Sequence, residues 1–399
     1  MRALLAVAAT AATPALAQDI ALKPLASARL RYETVEQDGI AAQADALTLR
    51  VRTGVQATSG AFAALVEAQG NLAIVGDYYD GVNGIADCPL VADPQNVALF
   101  RAQVRYQTRA VAITAGRQRI VLDDERFVGD VAFRQNAQTF DAVRVEWAGL
   151  PRLKADVSYI GAVRTIWGID GKGARPTVIP GDTMLANIAY ATPIGTATGF
   201  AYLIDQDSAG VQGFRLSSQS YGVRLVGTHA FAPSVRLAYQ GSYARQSDYR
   251  GNPNRYAADY HLLDATLGVR AFKLGGGYEV LGAGSGAPLT SFQTPLATGF
   301  KFQGWANKFL TTPPDGVRDA HASVGYAAPA IGALKAVTFQ AIYHRFESDR
   351  QVRHYGNEID LLATAKWRRT NVAVRYADYR ADGFAADTTK LWLQLDWTI

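Results

Sequence analysis

The sequence has few cysteines, few charged residues and no long apolar run in its mature part, and each absence excludes a class of protein. It has one cysteine in 399 residues, so it cannot be a small scaffold held by disulfides. Only 19% of its residues are charged and 49% are hydrophobic, which excludes an intrinsically disordered chain. Beyond residue 17, no run approaches the roughly 18–20 consecutive apolar residues that a membrane-spanning helix requires. The apolar half of the composition must therefore be spread through short, interrupted segments.

The usual signatures of catalysis and metal binding are also missing. The five histidines form no HExxH or other paired metal-ligand spacing, and the glycine-rich stretch 282–286 matches neither GxSxG nor GxGxxG. We therefore predict a protein that is not an enzyme and has no cofactor. Two alternatives stay open: a hydrolase built on His321 and Ser323, and Ca²⁺ held by acidic loop residues. Those acids are Asp77, Asp80, Asp87 and Asp93.

The N-terminus has the three parts of a secretory signal peptide. Met1-Arg2 supplies a positive start, residues 3–12 are uncharged and largely apolar, and Ala15-Leu16-Ala17 is a small-residue cleavage site. We predict that residues 1–17 are removed and that residues 18–399 form a single mature domain, which crosses the inner membrane.

Almost the whole mature sequence alternates between apolar and polar residues. Segments 47–52, 100–107, 143–147 and 391–399 each place an apolar residue at every second position. A period of two indicates β-strands with one apolar and one polar face. A soluble sandwich would also alternate. However, strands of about 9–12 residues suit a tilted membrane strand, and short links alternate with long ones, as in outer-membrane barrels.

The sequence therefore predicts an all-β fold, a transmembrane antiparallel β-barrel. We expect about 18 strands, with about 16 as the alternative, in the outer membrane of a Gram-negative cell. An even number of strands places both termini in the periplasm, with short periplasmic turns and long extracellular loops. The predicted strand centres lie near residues 31, 51, 66, 104, 113, 144, 157, 188, 201, 223, 239, 266, 277, 322, 341, 361, 375 and 393.

The polar face of these strands is rich in arginine, since the chain has 31 Arg and 9 Lys. If the apolar face meets lipid, these arginines project into the lumen and attract anions. The alternative is a network of ion pairs that stiffens the wall without selecting a solute. The predicted lumen arginines are Arg50, Arg52, Arg101, Arg105, Arg144, Arg224, Arg236, Arg270 and Arg375. The acidic residues on the same face are Glu67, Glu146, Asp156, Asp264 and Asp396.

Segment 116–140 is a charged link with its own apolar anchors, which predicts a loop that folds inward and narrows the pore. Its arginines are Arg117, Arg119, Arg126 and Arg134, and its acids are Asp123, Asp124 and Glu125. Its apolar residues include Ile120, Val121, Phe127 and Phe133. A flexible surface loop would instead be rich in Gly, Ser and Asn.

Several of these motifs resemble the alginate export family. They are GRQR (116–119), LDDERFVG (122–129), RQNAQTFD (134–141), FQTPLATGF (292–300), GWA (304–306) and FLTTPPDG (309–316). The resemblance covers most of the mature chain and implies a monomeric barrel that passes an anionic uronic-acid polymer outward. It also implies that Arg117, Arg119, Arg126 and Arg134 line the constriction, with Asp123, Asp124 and Glu125 as their partners.

We therefore predict an outer-membrane channel for anionic saccharides, such as an alginate-like polyuronate. The expected partners are outer-membrane lipid, an anionic saccharide or other anionic solute, and periplasmic export machinery, but not nucleic acid. The alternatives are a general anion-preferring uptake porin, a barrel enzyme and a structural surface protein.

Overall fold

The computed structural model describes residues 20–398 as one closed antiparallel β-barrel of 18 strands. Each strand pairs with its sequence neighbours, and β1 pairs with β18 to close the barrel. Both the fold class and the count of 18 are confirmed. The signal peptide predicted for residues 1–17 lies outside the described residues. The strands are β1 Ala21–Gln37, β2 Ala44–Ser59, β3 Phe62–Asp77, β4 Asn96–Gln107, β5 Val111–Gln118, β6 Thr139–Leu150, β7 Leu153–Arg164, β8 Val178–Thr192, β9 Gly195–Ile204, β10 Ser218–Ala232, β11 Val235–Asp248, β12 Ala257–Val269, β13 Phe272–Leu281, β14 Val317–Ile331, β15 Leu334–Glu347, β16 His354–Trp367, β17 Thr370–Ala381 and β18 Thr388–Thr398.

Two short 3₁₀ helices, Gln212–Phe214 and Gly299–Lys301, lie in links between strands. Within residues 20–398, no helix is both long and apolar enough to cross a membrane.

The alternation in the sequence becomes two faces of the barrel wall. On β2, Val51 is exposed outside, whereas Arg50 and Arg52 are buried inside. On β18, Leu393 is exposed outside and Trp392 is buried inside. Because the strands satisfy each other's backbone hydrogen bonds, an apolar outer face of this kind can meet lipid. All of the predicted strand centres lie within observed strands.

The links alternate in length as predicted. Each even-numbered strand before β18 is followed by a tight turn, and the longest links, 78–95, 119–138 and 282–316, follow odd-numbered strands. We call the two ends of the barrel the turn end and the loop end. Arg152, Arg270 and Arg368 lie in tight turns with positive φ.

One position departs from the predicted alternation. The pattern of residues 100–107 predicts that Phe100 faces outward. The β3–β4 register instead shifts between Leu99 and Arg101, which is a β-bulge. Phe100 is therefore buried inside, with its ring centroid 3.8 Å from the Arg52 guanidinium carbon, and Arg101 also projects inward.

Loops 119–138 and 282–316 fold into the lumen and supply much of the core there. Phe127 packs among aromatic rings of β9, of β12 and of Phe292 in the second loop. Val128 forms a parallel bridge with Leu296, and the Gly129 N–H donates to the Leu296 carbonyl at 2.9 Å. A side chain at Gly129 would collide with Thr298, so glycine permits this close approach. The inward fold predicted for segment 116–140 is thus observed for residues 119–138.

Candidate functional site in the barrel lumen

Loop 119–138 crosses the lumen and is anchored on two separate parts of the wall, β13 and β1. Arg126 binds Glu279 of β13 at 2.6 Å, and Arg134 binds Glu33 of β1 at 3.0 Å. All four side chains are almost fully buried. Burial alone would lower the pKa of Arg126, but the Glu279 carboxylate outweighs it, so the pKa lies above its ordinary value. Both arginines lie in the lumen, where they hold the loop in place.

The predicted partners Asp123, Asp124 and Glu125 do not pair with the arginines of the loop, which corrects that prediction. Asp123 and Asp124 both contact Arg224 of β10, at 3.5 and 2.8 Å. Glu125 instead pairs with Lys301 of loop 282–316. Burial raises the pKa of Asp123, although Arg224 opposes the shift. These acids therefore tie the loop to β10 and to loop 282–316.

The remaining two arginines of segment 116–140 differ in position. Arg119 pairs with Asp130, and its side chain is 40% exposed, so it is the most open of the four. Arg117 is the penultimate residue of β5 and continues the outward alternation of Ile113, because its register with Asp141 of β6 is unbroken. Its predicted place in the constriction is therefore wrong: it pairs with Asp141 on the outer face.

A wall of arginines runs along the inner face from β17 through β1 to β6. Arg101 pairs with Glu67 and Arg105 pairs with Glu146, both at 2.7 Å. Arg144 pairs with Asp156, and Arg29 of β1 pairs with Asp396 at 2.7 Å. These pairs form the alternative predicted from the sequence, a network of ion pairs that stiffens the wall without selecting a solute.

Three arginines of the same wall differ, because each has a buried guanidinium nitrogen without a hydrogen-bond partner in the part of the chain that the structure describes. The atoms are Arg50 Nε, Arg52 Nη2 and Arg375 Nη1. We call Arg50, Arg52 and Arg375 the open arginine group. A buried charged donor without a partner costs free energy, and an anion would supply the missing acceptor.

The open arginine group lies along one stretch of the inner wall, from β17 to β2. Arg29 lies directly opposite Arg50 in the β1–β2 register. Arg29 and Asp396 both act electrostatically on Arg50 and on Arg375. The Arg375 guanidinium carbon is also 5.5 Å from the ring centroid of Phe133 in loop 119–138. The group therefore lies beside the loop that narrows the lumen.

Two further predicted lumen arginines lie at the turn end. Arg236 follows the inward alternation of β11 and is exposed there. Arg270 is not on a strand: it occupies the exposed β12–β13 turn with φ 55°. Its predicted place on the lumen wall is therefore wrong, because the strand ends at Val269.

Arg31 and Glu33 of β1 were missed from the sequence, although both are fully buried on the inner face. Arg31 pairs with Asp93 of loop 78–95 at 3.2 Å. The sequence could have identified them, since Arg29, Arg31 and Glu33 alternate with less polar neighbours and so share the polar face of a strand. Asp93, one of the proposed Ca²⁺ ligands, is held by arginine, and Asp80 accepts backbone N–H groups of its own turn.

The adjoining part of the inner wall, β12 to β16, carries acids and histidines. The acids are Asp264, Glu279, Asp319, Glu358 and Asp360. His321 Nε2 lies 3.1 Å from Asp264, and His321 Nδ1 lies 3.9 Å from Asp319. Since both nitrogens face carboxylates, neither is directed to Ser323, which argues against the hydrolase alternative. The lumen thus has a basic wall and an acidic wall.

No family model matches the chain, and no curated protein matches it. Among solved structures, OccAB4 of Acinetobacter baumannii is similar with a TM-score of 0.73 and 15% identity, over 96% of this chain and 99% of that chain. OpdK of Pseudomonas aeruginosa, in a structure with vanillate, gives 0.68 and 13%, over 94% and 98%. OpdQ of Pseudomonas aeruginosa gives 0.66 and 16%, over 95% and 98%.

This chain has the fold of these proteins. At such identities, the likeness establishes the 18-stranded barrel and nothing finer. The alginate export resemblance has no matching family model and stays a prediction.

Proposed function

We propose that the chain is a monomeric outer-membrane channel for small anionic solutes, with a carboxylate as the group it recognises. In this proposal the turn end, with both termini, faces the periplasm. The open arginine group carries the proposal, because these buried guanidinium nitrogens lack acceptors among residues 20–398. An apolar outer face and a polar lumen support the placement in a membrane.

The chemistry of the wall suits a carboxylate in transit. Guanidinium is always charged and binds a carboxylate through two parallel hydrogen bonds. From the open arginine group, Arg101 and then Arg105 of β4 continue toward the turn end. Both are paired with acids, which weakens their hold on a passing anion and allows its release.

One of the similar solved structures supports recognition of a carboxylate. The OpdK structure was determined with vanillate, which is itself a carboxylate. A channel of the same fold that presents unpaired guanidinium groups offers matching chemistry for such a molecule.

Export of an alginate-like polyuronate is the second candidate, because each uronate unit carries the same carboxylate. The family resemblance of the loop motifs favours it, and it would require periplasmic export machinery. Against it stand loops 119–138 and 282–316, which cross the lumen. Loop 119–138 is held there by buried ion pairs, and a backbone bridge joins it to loop 282–316. A fixed obstruction of this kind suits small solutes better than a continuous polymer.

Entry of benzoate and benzamide into proteoliposomes tests the proposal, because the two molecules share their shape and differ in charge. We expect benzoate to enter faster through the wild-type barrel. Equal entry, or faster entry of the amide, would contradict recognition of the carboxylate. Entry of an oligouronate at a rate comparable to benzoate would favour the second candidate.

A further inference from the structure

The acidic wall contains a cluster that anion passage does not use. His321 of β14 and His344 of β15 lie directly opposite each other in the strand register. Asp319 precedes His321 by two residues and is therefore on the same inner face. One ligand atom of each residue lies within 4.8 Å of the others. In residues 20–398 this is the one group of three His, Cys, Asp or Glu residues with such geometry.

We propose that Asp319, His321 and His344 bind one divalent transition-metal ion on the lumen wall. Two imidazoles and one carboxylate, with open positions beside them, form a donor set that suits Zn²⁺, Co²⁺, Ni²⁺ or Fe²⁺. Ca²⁺ and Mg²⁺ prefer oxygen donors, so they should bind poorly. The proposal departs from the cofactor-free protein that the sequence predicts.

The distances from the Asp319 carboxylate to the two histidine nitrogens would suit a bound ion after a small movement of the side chains. Asp319 Oδ2 lies 2.9 Å from His344 Nδ1 and 3.9 Å from His321 Nδ1. Zinc ligands at roughly 2.0–2.2 Å in a tetrahedral site are about 3.4 Å apart, between these two values. His321 Nδ1 is also buried without a hydrogen-bond partner among the described residues, so it is available as a ligand.

The far nitrogen of each histidine faces a second carboxylate. His321 Nε2 is 3.1 Å from Asp264, and His344 Nε2 is 3.6 Å from Asp360. Histidines that bind metals almost always donate their other N–H to such a group, which fixes the tautomer that presents the free nitrogen. The same arrangement occurring twice in one cluster is the observation that favours a metal over a simple His–Asp hydrogen bond.

The negative charge around the cluster and its access from the lumen also favour a bound cation. Asp264, Asp319 and Asp360 have no arginine partner in the described part of the chain. Asp264 and Asp319 contact the two histidines, and Asp360 contacts His344, the Trp305 N–H and Glu358. A divalent cation would offset their charge. The His321 side chain is 18% exposed, so an ion can arrive from the lumen and water can complete its coordination.

Metal binding to the purified full-length barrel in detergent tests the proposal directly. We expect one Zn²⁺ per chain by equilibrium dialysis, and visible absorption on Co²⁺ addition that Zn²⁺ abolishes and Mg²⁺ does not. His321→Gln and His344→Gln should each remove both signals. His261→Gln is the matched control, because His261 is exposed on the outer face of β12, and it should leave both unchanged.

Asp264→Asn is a milder variant that keeps all three proposed ligands. We expect it to weaken Zn²⁺ binding about 10–100-fold, because it removes the carboxylate that orients His321. Absence of stoichiometric binding to the wild type, or binding retained in both His321→Gln and His344→Gln, would overturn the site. Because the readout is binding and not transport, the result is independent of the anion-channel proposal.

Discussion

At the scale of single residues, the basic wall contains two kinds of arginine. Arg101, Arg105 and Arg144 each have a carboxylate partner, so they contribute to the stiffness of the wall. Arg50 and Arg52 project from the same face, yet each retains a guanidinium nitrogen without an acceptor in the described part of the barrel. Selectivity should therefore depend on a few unpaired residues, and removing a paired arginine should affect mainly stability.

Lys308 in loop 282–316 provides a pH-dependent residue. Its ammonium contacts Gln37 at 3.2 Å, and burial lowers the pKa of Lys308 to about 8, although Glu358 and Asp387 oppose the shift. The ordinary value is 10.5, so between about pH 8 and 10.5 the unfolded chain binds more protons than the folded chain. The penalty for burying this charge is fully present below pH 8 and disappears as the pH rises.

We expect Lys308→Met to lack this dependence. Urea unfolding of both proteins in detergent should show the wild type gaining stability relative to Lys308→Met as the pH rises above 8. A difference between the two that is constant from pH 7 to 10 would show that Lys308 titrates normally in the folded barrel.

At the scale of elements, loop 119–138 is a brace held by buried ion pairs. Arg126→Met should destabilise the barrel by about 3–5 kcal/mol, because it leaves the buried Glu279 carboxylate without a partner. Adding Glu279→Gln should recover part of the loss. Unfolding by urea, followed by tryptophan fluorescence, measures both effects.

Arg245→Met is the control for this prediction. Arg245 pairs with Asp259 across 3.4 Å, but the two side chains are 62% and 39% exposed. Exposed pairs contribute at most about 1 kcal/mol. A loss in Arg126→Met no larger than in Arg245→Met would mean that the Arg126–Glu279 pair does not hold the loop.

The strands and the order of short and long links could be predicted from the sequence, because alternation is local. Residues 47–52 reveal two faces without any knowledge of their neighbours. The bulge at Phe100 could not be predicted, since it depends on how β3 pairs with β4. Arg270 was misplaced for a related reason: the strand ends at Val269, two residues earlier than the apolar pattern suggests.

The candidate site was less predictable than the strands, because its contacts join residues far apart in sequence. Composition identified an arginine-rich lumen and an inward loop. The family resemblance implied that Asp124 pairs with arginines of the same loop, whereas the barrel closes so that Arg224, one hundred residues later, is the partner. His321 and His344 face each other only through the β14–β15 register, which no spacing motif encodes.

At the scale of the whole molecule, the barrel separates its charges. Arginines occupy the wall from β17 to β6, and acids with histidines occupy the wall from β12 to β16, with two loops lying between. A net charge of +5 for the chain conceals this separation. We therefore expect the two walls to act on different ions: anions along the open arginine group, and a divalent metal at Asp319.

The reversal potential of single channels across a KCl gradient tests the central claim most directly. We predict that the wild-type barrel is anion-selective and that Arg50→Gln, Arg52→Gln and Arg375→Gln together remove most of this selectivity. Arg270→Gln removes one arginine from an exposed turn and should behave as the wild type. A cation-selective wild type, or a triple variant as anion-selective as Arg270→Gln, would contradict the account.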